Sequence, residues 1–171
     1  MRIYTDASTR GGISGIAFVV TDARDNELHK EGVVIEQCDN NTAELSAVLF
    51  ALERTKNTRA KHITIFTDSI YVINAVRNGI YRKNERNIVR KIRKNMSTIN
   101  SCLMWIKGHY SDDSVLSYYN KRADKMSKVV RRQYDKQLRQ ERKAYIKSLG
   151  FSKQYTKLQM VKKIISDKIY G

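Results

Sequence analysis

The sequence predicts an α/β fold: a five-stranded mixed sheet flanked by helices, followed by a C-terminal helical extension. Three observations carry that prediction. Residues 2–37 read as short strands separated by turn residues. Apolar residues then recur at helical spacing. Two short apolar runs, residues 63–66 and 103–106, interrupt the helical stretches. The resulting order, β-β-β-α-β-α-α-β-α, suits a mixed sheet with helices on both faces.

Taken in order, residues 2–7 form the first predicted strand, and Gly11, Gly12 and Gly15 mark a tight turn. Residues 16–21 and 28–37 are the second and third strands of an antiparallel meander, joined by a polar turn that holds Asp22 and Asp25. Leu45, Val48, Leu49 and Leu52 make a helical stripe, with Asn40 or Asn41 as the expected cap. Residues 63–66 read as a buried-type strand. Residues 69–77 read as a helix stopped at Asn78-Gly79. Ile88, Ile92, Met96 and Ile99 make another helical stripe, and residues 103–106 are the last strand. A polar loop from His109 to about Ser117 precedes a long helix starting near Tyr118. Gly150 is the one break in the tail; beyond it Tyr155, Leu158, Val161 and Ile165 predict an amphipathic helix. Its apolar face suits packing on the domain first, then a partner or nucleic acid.

With 171 residues, 41% of them apolar, the chain has material for one domain and an appendage, divided here as residues 1–130 and 131–171. No stretch reaches transmembrane length, and the opening Met-Arg-Ile-Tyr-Thr-Asp does not read as a signal peptide. Cys38 and Cys102 are isolated thiols, and the three histidines lack zinc-type spacing. Reduced thiols lead us to expect a cytoplasmic location. The formal net charge of +16 is unevenly placed. Residues 128–171 hold 13 Lys and Arg against 3 acids, and residues 77–94 hold 8 against 1. An ordinary charge run is a solvated face, but two segments carrying the whole net charge favour phosphate contact.

Against 33 basic residues stand only 17 acids, and four of them have unusual settings. Asp6 ends the run Arg2-Ile3-Tyr4-Thr5, and Asp68 ends His62-Ile63-Thr64-Ile65-Phe66-Thr67. Glu44 opens an apolar helical pattern, and Asp124 lies on the late helix. An acid at the end of a hydrophobic strand carries a desolvation cost that pairing or a metal ion offsets. Any one of them alone is most simply a surface charge or a helix cap. Four together, two on strand ends and two on helices, suit hard divalent cations.

The segments Thr-Asp-Ala-Ser (5–8), Asn-Asn-Thr-Ala-Glu-Leu (40–45), Thr-Asp-Ser (67–69), Trp-Ile-Lys-Gly-His (105–109) and Asn-Lys-Arg-Ala-Asp (120–124) resemble, in this order, type 1 ribonuclease H. The likeness covers roughly residues 1–130, the catalytic domain it implies. It implies a ribonuclease H-like fold with the first strand central and the later two parallel to it. It further implies an endoribonuclease that cleaves the RNA strand of RNA/DNA hybrids, leaving 5′-phosphate and 3′-hydroxyl ends, with two Mg²⁺ ions as cofactor and Mn²⁺ as a substitute. Asp6 would bridge the ions, Glu44 and Asp68 would complete one site and Asp124 the other. His109 would assist proton transfer or product departure.

Substrate contacts are expected at Asn40 and Asn41, whose amides suit 2′-hydroxyl recognition, and at Asn84 with its neighbours Arg82 and Lys83. Asp39 stands where the family usually has Thr beside a DNA phosphate, and an acid there would repel phosphate. Ile70 stands where many members have a Gln. Only residues 81–87 join the two middle helices, so the chain resembles members that lack the basic protrusion, and its own basic extension is expected to grip nucleic acid. Two alternatives remain: a nuclease of the same fold acting on branched DNA, and a non-catalytic hybrid-binding module.

Overall fold

Strand β1 (Arg2–Arg10) lies at the centre of the sheet because both of its edges are used. It pairs antiparallel with β2 (Ile13–Thr21) on one side and parallel with β4 (Ile63–Thr67) on the other. β3 (Glu27–Glu36) adds antiparallel to β2, and β5 (Ser101–Trp105) adds parallel to β4, giving the order β3-β2-β1-β4-β5. This is the predicted five-stranded mixed sheet flanked by helices. The computed structural model describes residues 1–108 and 114–148. His109 and the tail stripe Tyr155, Leu158, Val161 and Ile165 lie outside the described residues. The chain divides into two compact units, Met1–Gln133 and Tyr134–Gly171.

Within the first unit, alternation along β1 feeds two packed layers. Ile3 joins Phe18, Leu45, Val48, Leu52, Ile65 and Leu103, together with helix residues Val89 and Ile92, in the larger core. Tyr4 joins Val19, Phe66, Ile106, Tyr119 and Ala123 in the second. Helices α1 (Asn40–Thr55) and α3 (Arg86–Thr98) supply the first layer, and α4 (Val115–Ser148) supplies Tyr119 and Ala123 to the second. Asp6 shares the parity of Tyr4 and so faces the α4 side of the sheet.

Several predicted boundaries move, each for a physical reason. β1 runs on to Arg10, so Asp6 sits inside the strand and pairs with Ala17. The hairpin closes at Gly11 and Gly12, whose φ angles of 59° and 79° favour glycine. Gly15 is a strand residue, not part of the turn; a Cβ there would meet the Ser127 carbonyl oxygen at 2.1 Å. The cap of α1 is Asp39, which accepts from the Thr42 N–H, not Asn40 or Asn41. The helix predicted over residues 69–77 is a short α2 (Ile70–Ile73) running into a π turn, Asn74–Asn78, closed by Gly79 at φ 74°. α4 starts at Val115, where Ser114 accepts from the Ser117 N–H.

Candidate active site

Three of the four acids meet. One carboxylate oxygen each from Asp6, Glu44 and Asp68 lies within 4.8 Å of the others. β1 presents Asp6, the first turns of α1 present Glu44, and the chain leaving β4 presents Asp68. Parallel pairing of β1 with β4 places Tyr4 beside Phe66, so the residues two further along each chain reach the same end of the sheet. Asp6 is 5% exposed and Glu44 7%. One Glu44 oxygen, Oε2, is buried without a hydrogen-bond partner among the described residues.

Electrostatics sharpens the picture. Burial pushes the Asp6 carboxyl up to about 7; a hydrogen bond from Ser127 opposes that rise, and the charges of Asp124 and Asp68 add to it. Burial first, then Asp6 and Asp68, holds Glu44 well above the usual carboxylate range. Carboxylates crowded out of water cannot all ionise unless a cation joins them. An orphaned, buried carboxylate oxygen in an all-oxygen cluster fits a hard divalent ion such as Mg²⁺.

Asp124 stands next to this group but outside it. Lys128 Nζ lies 2.6 and 2.8 Å from its two oxygens. Its charge still acts on Asp6 and Glu44. The same helix supplies two further side chains that the sequence analysis did not assign. Asn120 Nδ2 donates to Asp68 Oδ2 at 3.1 Å. Ser127 Oγ donates to Asp6 Oδ2 at 2.5 Å. Residues 120, 124 and 127 follow the i, i+4, i+7 rule for one helix face, which was the available signal. The rim is completed by Trp105, whose indole N–H donates to the Asp68 carbonyl at 3.0 Å, and by Gly108, where a Cβ would come within 2.5 Å of Asp68 Oδ2.

The residues expected to bind substrate are distributed differently. Asn40 is exposed and Asn41 half-buried in the first turn of α1, where Asp39 does the capping. Lys83 and Asn84 are exposed on the 3₁₀ turn Lys83–Glu85. Arg82 is engaged within the protein. Its two terminal nitrogens each lie 2.8 Å from an Asp39 oxygen, and it also pairs with Glu85. Glu85, 1% exposed, accepts from Tyr71, from Thr42 Oγ1 at 3.0 Å and from the Arg82 backbone N–H at 3.0 Å. A hydrogen bond from Arg82 holds Asp39 down to about 2. Asp39 is therefore a partnered carboxylate, and Arg82, expected among the substrate contacts, is the cation that pairs with it.

A match to the RNase H family spans residues 1–132. No curated protein matches the sequence significantly. Among solved structures, the RNase H1 of Halobacterium salinarum is 20% identical with a TM-score of 0.63, over 75% of this chain and 95% of that one. The N-terminal RNase H domain of a Mycobacterium tuberculosis protein is 16% identical with a TM-score of 0.66, over 80% and 98%. LC11-RNase H1, solved in complex with an RNA/DNA hybrid, is 24% identical with a TM-score of 0.65, over 78% and 97%. The sheet order, the converging acids and the family match agree: this chain belongs to the RNase H family and is a ribonuclease H.

Proposed function

We propose that this ribonuclease H hydrolyses the RNA strand of RNA/DNA hybrids by two-metal-ion chemistry, giving 5′-phosphate and 3′-hydroxyl ends. The observation that carries the reading is the meeting of Asp6, Glu44 and Asp68 around a buried oxygen with no hydrogen-bond partner among the described residues. Asp6 would bridge two ions, Glu44 and Asp68 would share one, and Asp124 would hold the other after exchanging Lys128 for it. When bound, divalent ions at such a site lower the pKa of a water and neutralise charge on the scissile phosphate. Mg²⁺ is the assigned ion, with Mn²⁺ as a substitute. His109 would assist proton transfer or product departure. Asn40 and Asn41 would read 2′-hydroxyls, a role supported by Asp39 doing the capping in their stead. The hybrid bound by LC11-RNase H1 supports this substrate class.

We further propose that residues 1–130 form the catalytic domain and that the basic extension takes over the gripping role of the missing basic protrusion. Within the second unit, Lys136, Arg139, Lys143 and Lys147 are exposed and follow i, i+3, i+7, i+11 spacing, a cationic face along one side of a helix. The two thiols Cys38 and Cys102 are free, consistent with the cytoplasmic placement we propose. The deciding experiment offers labelled RNA/DNA, RNA/RNA, DNA/DNA and four-way-junction substrates with Mg²⁺ and with EDTA. Cleavage confined to the RNA of the hybrid, and abolished by EDTA, is expected. Preferred cleavage of the junction would replace this reading with a branched-DNA nuclease.

A further inference from the structure

We infer that Ser127 is a positioning residue of the metal centre: its hydroxyl fixes the Asp6 carboxylate in the orientation that accepts a divalent ion. The inference rests on the metal-site reading above and adds a residue to it. Ser127 is fully buried, on the α4 face that also carries Asn120 and Asp124. Its Oγ lies 2.5 Å from Asp6 Oδ2, in the range of a hydroxyl donating to an ionised carboxylate. A second acceptor competes for the one proton, since Oγ also lies 2.9 Å from the Asp124 carbonyl, the usual back-bond of a helical serine. A carbonyl inside a helix already has an amide partner, and a buried carboxylate does not, so the proton is better used on Asp6.

The approach is built into the fold at a separate place. Gly15 of β2 leaves the backbone bare where α4 crosses, so that a Cβ would meet the Ser127 carbonyl at 2.1 Å and Val130 Cγ2 at 2.9 Å. Gly32 of β3 gives the same helix room, with Val130 Cγ1 3.2 Å from its would-be Cβ. These two glycines seat α4 against the sheet at backbone distance, which brings a side chain as short as serine within reach of β1. Asp6 is then held through one oxygen while its remaining lone pairs stay available. Carboxylates that bind metals are commonly held in this way, and loss of the supporting group typically costs 10- to 100-fold in metal affinity or activity.

The test compares the parent chain, Ser127→Ala and Ser127→Thr. Mg²⁺ and Mn²⁺ binding is measured by calorimetry without substrate, and hybrid cleavage is followed against metal concentration. The metal-free melting curve of each protein controls for folding. Ser127→Ala should bind the ion about 10- to 100-fold more weakly. Its cleavage should recover at high metal concentration, and Ser127→Thr, which keeps the hydroxyl, should stay close to the parent. Equal metal affinity in parent and Ser127→Ala would overturn the inference and assign the proton to the Asp124 carbonyl. Equal losses in the Ala and Thr variants, in step with a lowered melting temperature, would overturn it in favour of packing alone. A parent chain that takes up no divalent ion would instead overturn the metal-site reading itself, and Ser127 with it.

Discussion

Two clusters of acids in this molecule differ in where their cation comes from. Around Glu85, the protein supplies it: Arg82 reaches both Asp39 and Glu85, while Tyr71 and Thr42 add hydroxyl donors. Around Asp6, Glu44 and Asp68 the hydrogen-bond donors among the described residues are neutral, Ser127, Asn120 and the Ala7 backbone N–H, and Glu44 Oε2 is left bare among them. The consequence appears in proton affinity. The first cluster holds Asp39 down to about 2, and the second lets Asp6 rise to about 7. A charge-closed cluster ties elements together, here the start of α1 to the turn before α3. A cluster left open to an external cation is set up for chemistry.

The comparison breaks most decisively at Glu44. Glu44→Gln removes a ligand charge worth several kcal/mol in the transition state, so hybrid cleavage should fall by about 10²-fold or more. The metal-free protein should melt no lower than the parent, because its buried carboxyl gains nothing from ionisation. A steady-state assay at saturating Mg²⁺, paired with a melting curve, checks both. By contrast Glu85→Ala should lower stability by about 1–3 kcal/mol, since it takes the acceptor from the Tyr71 and Thr42 hydroxyls and leaves Arg82 with Asp39 as its one acid partner among the described residues. Added metal should not restore that loss.

The pH dependences have opposite signs. Asp6 has a raised carboxyl in the folded state, so its contribution to metal-free stability is fully present below about 4 and is lost as pH rises through about 7. Asp39 and Glu85 are lowered: burial raises Glu85, and the bonds from Arg82, Tyr71 and Thr42 more than offset it. Their contribution is present above their unfolded values near 4 and is lost as pH falls below them, for Asp39 toward about 2. In EDTA, Asp6→Asn should therefore flatten the decline of melting temperature between about pH 4 and 7, leaving the acid limb below it unchanged. In the parent, Mg²⁺ at 100 times its dissociation constant should restore about 2.7 kcal/mol at pH 8.

Substrate contacts should give smaller effects. Asn40→Ala or Asn41→Ala should narrow the preference for all-RNA over partly 2′-deoxy target strands while leaving duplex binding largely intact; an unchanged preference in both would remove them from recognition. Deleting residues 150–171 should flatten the salt dependence of binding by about 0.9 per lost phosphate contact in a log–log plot. An unchanged slope with a large loss of melting temperature would make the tail structural.

Asp6, Glu44 and Asp68 were legible because their settings were extreme: a carboxylate in or just after an apolar strand, or opening an apolar helix, is costly unless something pairs with it. The sheet was legible through alternation and turn residues, and Gly11-Gly12 closed its hairpin where expected. Strand length was not, since Ser8 to Arg10 join β1 only by pairing with Gly15 and its neighbours in β2. The pairing of Asp39 with Arg82 was not legible, because the two lie 43 residues apart and nothing local reports that contact. Ser127 and Asn120 escaped because helical periodicity tells which residues share a face but not what that face meets. That depends on how closely α4 is seated, and two glycines on other strands set it.

The central claim is that Asp6, Glu44 and Asp68 form a divalent-cation site whose ion cleaves RNA paired to DNA. The most direct measurement is the cleavage rate of a labelled RNA/DNA hybrid by purified, folded Asp68→Asn across a Mg²⁺ titration, beside the parent chain. The account predicts strong Mg²⁺-dependent cleavage by the parent and nearly none by Asp68→Asn at any Mg²⁺ concentration. Substantial Mg²⁺-dependent cleavage by Asp68→Asn would contradict it.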